Sequence, residues 1–284
     1  MPPALDGGDT ANYQKRLWPN YYSAKALNLW LNLILQLKQE AIQKEEMNYS
    51  SEITNEGFTI INAVYTENEI EKLISLIENL TENNSTNATF RKSQDLFAIR
   101  QFHKEIPQAL PYILNQNLKD IITSTFGEDY FITKSIYFDK PEKSNWFVAY
   151  HQDLTISVDK KIEIEDFENW TTKQNQFAVQ PPTKILENNF TIRIHLDTTT
   201  KDNGALKVIN NSHSKGIFRA ENLKTENETI CEVEKGGIMI MKPLLFHASN
   251  KTTNNERRRV IHLEFSNQQL PDGLEWSEKT VLNN

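Results

Sequence analysis

Phe190-Thr191-Ile192-Arg193-Ile194-His195-Leu196 is a short run dense in β-branched and aromatic residues, and Asp202-Asn203-Gly204 follows it as a turn signal. Runs of the same texture occupy 205–209, 237–242 and 257–265, and earlier ones 130–138 and 146–151. Pro141-Glu142-Lys143-Ser144 and Lys235-Gly236 break them up. Short strands at regular spacing predict an antiparallel sandwich or jelly roll over the C-terminal two-thirds.

Upstream the texture is helical. Apolar residues recur three and four apart over 21–46 (Leu27, Trp30, Leu31, Ile34, Leu35, Leu37, Ile42), which predicts a long amphipathic helix with a packing role. A strand is expected over 58–64. Thr66-Glu67-Asn68-Glu69 then forms a capping box ahead of Ile70, Leu73, Ile74 and Ile77. Further helices are expected near 106–114 and 118–126, the second ending at Gly127. Residues 81–89 read as a loop, and the charged 160–167 segment as a solvated loop rather than a lid. Helices first and strands after make an α+β chain. We divide it into a mostly helical extension, 1–50, and a single domain, 51–284.

Composition bounds the function. Among 284 residues, 38% are apolar and 10% aromatic, enough for a real core. The single cysteine, Cys231, excludes an internal disulfide framework and multi-cysteine metal sites, and no basic neighbour marks it as a nucleophile. A net charge of −7 argues against nucleic acid as a partner. The N-terminus lacks the layout of a secretory signal, and the apolar stretch near 27–37 is broken by Asn28, Asn32 and Gln36, so no membrane partner is expected. The sequons Asn87-Ala88-Thr89 and Asn250-Lys251-Thr252 read as chance matches in a reduced, cytoplasmic protein. No phosphate-binding Gly-Lys loop or Gly-x-Ser-x-Gly elbow occurs. Oligomeric state is not readable.

With one cysteine, any metal must be held by His, Asp or Glu. His151-Gln152-Asp153 places an imidazole and a carboxylate on one face of a strand. His247 follows a strand, and eleven residues later Arg258 lies within Arg257-Arg258-Arg259. Two imidazoles and a carboxylate on one side of a metal form the ligand set of non-haem Fe(II) sites, which leaves positions open for a chelating 2-oxo acid and O2. A planar guanidinium suits the far carboxylate of such a co-substrate.

Taken in order, these features resemble the phytanoyl-CoA dioxygenase family of Fe(II)/2-oxoglutarate-dependent oxygenases. The matching residues run from Gly57-Phe58-Thr59-Ile60-Ile61 through His151-Gln152-Asp153-Leu154 and Asp202-Asn203-Gly204-Ala205-Leu206. They continue with Asn211-Ser212-His213 and His247-Ala248-Ser249 to Arg258. The resemblance implies a double-stranded β-helix core (a cupin-like jelly roll) flanked by N-terminal helices. It implies Fe(II) on His151, Asp153 and His247, with 2-oxoglutarate and O2 as co-substrates. Arg258 and Ser249 would hold the C5 carboxylate, and Arg193, Gln152 and Arg100 are counted with the co-substrate contacts. The implied reaction is hydroxylation of an aliphatic C–H in a small-molecule metabolite with release of succinate and CO2. A residue smaller than Asp153 would instead open a halide position.

The family's usual Pro-Gly-Ser-His turn stands here as Asn210-Asn211-Ser212-His213, which asks Asn to take a left-handed backbone. The triple arginine leaves strand register open by one residue. His213 reads as structural, and His195 and His262 as core or edge histidines. Trp146 and Tyr150 read as core, and Glu163, Glu165 and Asp166 as a solvated face. The alternative function is a cupin-like metal or ligand-binding jelly roll without 2-oxoglutarate chemistry, which would need neither Arg258 nor Arg193.

Overall fold

A computed structural model of the chain describes residues 24–83, 90–92, 96–140, 147–173, 176–271 and 273–282. Trp146, the first sequon and the Pro141-Glu142-Lys143-Ser144 turn lie outside them. The loop expected over 81–89 does too, apart from 81–83, which close a helix. Internal contacts divide the chain into two units, residues 1–45 and 46–284. No helix among the described residues is long and apolar enough to cross a membrane.

Helix α1 (Ala24–Glu56) begins in the first unit. There Trp30, Leu31, Leu35 and Leu37 of the expected stripe are exposed, as are Leu29 and Leu33, while Ile34 is partly buried and the side chains of Leu27 and Ile42 lie outside the described residues. The reason is angular. Leu29, Trp30, Leu31 and Leu33 fall within little more than one turn, so they point around the helix rather than along one stripe.

In the second unit, helix α2 (Glu67–Asn83) starts at the expected capping box: the Glu69 amide donates to Thr66 Oγ1 (3.3 Å) and the Thr66 amide to Glu69 Oε2 (2.8 Å). Short helices α3 (Phe102–Glu105) and α4 (Leu110–Ile113) lead into α5 (Gln116–Phe126). Asn115 caps α5 through Leu118 N–H (2.9 Å), and Gly127 ends it at φ 103°. Helix α6 (Thr183–Asn188) lies later in the chain.

The strands are β1 (Phe58–Ile61), β2 (Phe90–Lys92), β3 (Leu96–Arg100), β4 (Phe131–Lys140) and β5 (Val148–His151). Next come β6 (Ile156–Val158), β7 (Glu168–Lys173), β8 (Gln176–Gln180), β9 (Phe190–His195) and β10 (Leu206–Ile209). The last five are β11 (Glu228–Cys231), β12 (Ile238–Met241), β13 (His247–Ser249), β14 (Arg258–Ser266) and β15 (Thr280–Val281). The largest sheet runs β1-β12-β9-β14-β4-β3-β2, with β15 beside β4; a second runs β11-β10-β13-β5 and a third β6-β8-β7. Every strand pairing among the described residues is antiparallel. The third sheet was not foreseen, because 168–180 mixes exposed polar residues with few β-branched ones.

Strand alternation gives the large sheet two faces. On one, Ile192, Ile194, Ile240, Ile261 and Leu263 pack with Ile70, Leu73, Ile77, Leu118 and Ile122 of α2 and α5. Each such buried Ile or Leu contributes about 1.5–3 kcal/mol. On the other face, Met239, Met241, Phe58 and Ile60 meet Leu206, Val208 and Cys231 of the second sheet. The two sheets therefore face one another, and what this inner face carries beyond the apolar contact defines the site.

Candidate active site

His151 ends β5 and His247 begins β13, and the register sets them directly opposite. Their ring centroids are 4.2 Å apart. Each imidazole meets a main-chain carbonyl two residues upstream through Nδ1: His151 with Ala149 O (2.9 Å) and His247 with Leu245 O (2.9 Å). A carbonyl only accepts, so the proton is on Nδ1 and each Nε2 lone pair is free to bind a metal. Asp153, fixed by its amide to Pro243 O (2.9 Å), brings Oδ1 to 3.8 Å from His151 Nε2 and Oδ2 to 3.7 Å from His247 Nε2.

Three candidate ligand atoms lie within 4.8 Å of one another. Atoms bound to one ion at about 2.0–2.2 Å stand at most about 4.4 Å apart, so both N···O separations suit a shared cation. The Oδ2 atom is buried with no hydrogen-bond partner among the described residues, as an atom reserved for a metal would be. Burial would raise the Asp153 carboxyl, yet the charges of His247, His262, Lys134 and His151 hold it at about 2. Burial, against the pull of Asp153, lowers His247 to about 4. At neutral pH His247 is a neutral imidazole and Asp153 a carboxylate, both in ligating form.

These residues line a cavity of about 190 Å³ that also takes in Arg193, Ser249, Arg258 and His262. Phe138, Val148 and Leu206 supply its apolar wall. Arg193 and Arg258 are buried, and no described carboxylate pairs with either. The Nε atoms of both, and Ser249 Oγ, are buried without hydrogen-bond partners among the described residues. Burial, joined by the charge of Arg193, lowers Arg258 to about 9; burial against Asp153 lowers Arg193 to about 10. An anion between the two guanidiniums would reverse both shifts.

Register also resolves the triple arginine. Arg258 turns inward opposite Lys140, with Nη1 donating to Gly204 O. Arg257 is bound outside by Asp139, and Arg259 by Asp197 through Nε (2.9 Å) and Nη2 (2.7 Å). Gly204 takes φ 86°, and a Cβ there would stand 2.7 Å from Lys140 Nζ.

Two residues counted with the co-substrate contacts are not brought to the cavity. Gln152 donates from Nε2 to Gly216 O (2.8 Å) and Leu244 O (2.7 Å) and accepts from Phe218 N–H (3.3 Å), so its amide braces loops. Gln152 lies past the end of β5, where these loop contacts turn it away from the cavity. Arg100 sits opposite Ile136 in β4 and acts electrostatically on Lys134, outside the cavity lining. Conversely, His262 lines the cavity, which the alternation Arg258, Val260, His262 would have shown.

Other expectations resolve simply. Asn211 adopts φ 60°, Ser212 Oγ accepts from Phe246 N–H (2.9 Å), and His213 Nε2 meets Thr54 O (3.2 Å), so that turn is structural. His195 is buried with Nδ1 on Thr199 Oγ1 (2.7 Å). Burial drives the Cys231 thiol up to about 12. Glu163, Glu165 and Asp166 are exposed. Tyr150 is half-buried, reaching Glu228 at the surface rather than the core.

The family model for phytanoyl-CoA dioxygenase (PhyH) matches residues 53–260. The chain belongs to the phytanoyl-CoA dioxygenase family. It is thus an Fe(II)/2-oxoglutarate-dependent oxygenase. No curated protein matches the sequence. Among solved structures, EctD from S. alaskensis in its apoform is 17% identical with a TM-score of 0.60, over 76% of this chain and 75% of that one. The same protein has been crystallised with 2-oxoglutarate and 5-hydroxyectoine, and with bound Fe. AviO1 from Streptomyces viridochromogenes Tue57 is 14% identical at a TM-score of 0.58, over 80% of this chain and 97% of its own. SnoK, a non-heme alpha ketoglutarate dependent carbocyclase from nogalamycin biosynthesis, is 13% identical at 0.56, over 77% and 82%. At these identities the likeness shows that this phytanoyl-CoA dioxygenase family member shares their mixed helical and antiparallel-sheet fold.

Proposed function

We propose that the chain hydroxylates an aliphatic C–H of a small-molecule metabolite, with His151, Asp153 and His247 holding Fe(II) and Arg258 with Ser249 holding the C5 carboxylate of 2-oxoglutarate. Bound iron supplies the activation of O2 that is coupled to decarboxylation of 2-oxoglutarate to succinate and CO2. The protein's own part is orientation. Its carbonyls fix both imidazole tautomers, its inward guanidiniums fix a dianion, and Phe138, Val148 and Leu206 shield the cavity from water. Arg193 is assigned to the same co-substrate. We assign the two facing sheets to a double-stranded β-helix, or jelly roll, forming one domain over 51–284 behind a helical extension, 1–50.

One observation carries this reading: two buried arginines, without carboxylate partners among the described residues, open into the same cavity as the His-Asp-His cluster. A cupin-like metal site without a 2-oxo acid has no use for either. The test is succinate formation from 2-oxoglutarate with Fe(II), O2 and ascorbate across a panel of small amino-acid-like, acyl and natural-product candidates. Substrate-stimulated succinate is expected. Its absence across the panel, together with no binding of 2-oxoglutarate to the iron-loaded protein, would sink the reading.

A further inference from the structure

We infer that Glu264 and His262 form a positioning device for Arg193, aiming its guanidinium at the carboxylate of the 2-oxo acid that lies on the metal side. The inference rests on the functional reading above. Residue alternation along β14 sends His262 and Glu264 to the inner face with Arg258, and register sets His262 opposite Arg193 and Glu264 opposite Lys134. The contacts form a directed chain. A guanidinium only donates, so His262 Nδ1, 3.3 Å from Arg193 Nη1, is the acceptor. The ring proton is therefore on Nε2, which donates to Glu264 Oε1 at 3.4 Å. The same Oε1 takes Lys134 Nζ at 2.6 Å, which fixes the carboxylate. Both imidazole contacts are at the long end of the hydrogen-bond range, and the Phe138 ring meets the imidazole edge-on (5.9 Å, 86°) to hold its plane.

Both His262 nitrogens are thus engaged, while Arg193 Nε remains buried and unbonded beside the cavity. Arg193 lines the cavity with Asp153, which favours its charged form, and register places it opposite His262, four residues along β14 from Arg258. Arg258 is anchored elsewhere, on Gly204 O and flanked by Lys140. The two arginines therefore address different ends of one dianion, and His262 sets the nearer one.

Anaerobic titration of the Fe(II)-loaded protein with 2-oxoglutarate and with 2-oxobutyrate, which lacks the distal carboxylate, tests this through the visible charge-transfer absorption. His262→Leu should weaken both ligands about tenfold or more, as loss of an outer-sphere partner does. His262→Gln presents a carbonyl to Arg193 and an amide to Glu264, and should return both to the wild-type range. Arg258→Met should weaken 2-oxoglutarate alone. A folded His262→Leu protein with unchanged affinities overturns the inference while leaving the function standing, as does a Gln variant no better than Leu. Failure of the wild type to bind either ligand overturns both. Without any variant in the measured sample, 15N shifts should show His262 neutral and protonated at Nε2; a proton on Nδ1 overturns the inference.

Discussion

Arg258 and Arg257 are adjacent in sequence yet opposite in fate: one is buried against Gly204 O facing the His-Asp-His cavity, the other is bound by Asp139 on the far side of the sheet. Replacing them should have separable effects. Arg258→Met should raise the 2-oxoglutarate dissociation constant by about 10–100-fold, the loss of a charged hydrogen bond of about 1.5–3 kcal/mol, with little effect on thermal stability. Arg257→Met should leave affinity unchanged and lower the melting temperature. Ligand titration beside thermal denaturation checks both.

Deleting a metal-cluster member should be harsher. Asp153→Ala and His247→Ala should each cut 2-oxoglutarate-dependent succinate formation beyond the roughly 10–100-fold typical of outer-sphere changes. A chelator should abolish wild-type turnover, and added Fe(II) should restore it. Metal analysis of the purified variants, set against turnover, is the measurement.

Gly204→Ala should destabilise the fold by about 1–3 kcal/mol, since φ 86° strains any L side chain and the new methyl would stand 2.7 Å from Lys140 Nζ and 2.9 Å from Asn250 O. Displacing Gly204 O also frees Arg258, so 2-oxoglutarate affinity should fall with stability. Chemical denaturation and ligand binding on the same variant read the two effects.

The metal-free protein should lose stability as pH falls below about 6.5. Burial is the leading cause that lowers His195, His213, His247 and His262 below the ordinary imidazole value. The unfolded chain therefore takes up protons near pH 6.5 that the folded chain refuses, and unfolding is favoured by acid. For His247, lowered from 6.5 to about 4, the loss is of the order of 3 kcal/mol, complete near pH 4. Asp153, held at about 2, retains its contribution throughout that window. Melting temperatures between pH 8 and 4.5 check the slope.

Much of this was legible in the chain. The capping box at Thr66, the strands at 190–196 and 257–265 and the left-handed Asn211 carry local signals, and local signals survive into the structure. The His151-x-Asp153 spacing was a local signal, whereas His247 came through the family resemblance, and only the register shows that it pairs across to His151. Gln152 misled because a motif counts its middle residue, whereas the carbonyls of Gly216 and Leu244 take its amide away from the cavity. In the helix at 27–37 the spacing admits a stripe, yet Leu29, Trp30, Leu31 and Leu33 point around it and are exposed. Alternation from Arg258 reaches His262 within one segment, but its place opposite Arg193 needed the register of β14 on β9, which no single segment holds.

The acceptors that orient His151 and His247 belong to the main chain at Ala149 and Leu245. A side-chain acceptor can be erased by one codon, whereas every amino acid supplies a carbonyl. Tautomer control at this centre is therefore immune to replacement at either position and fails only if the peptide plane itself is turned.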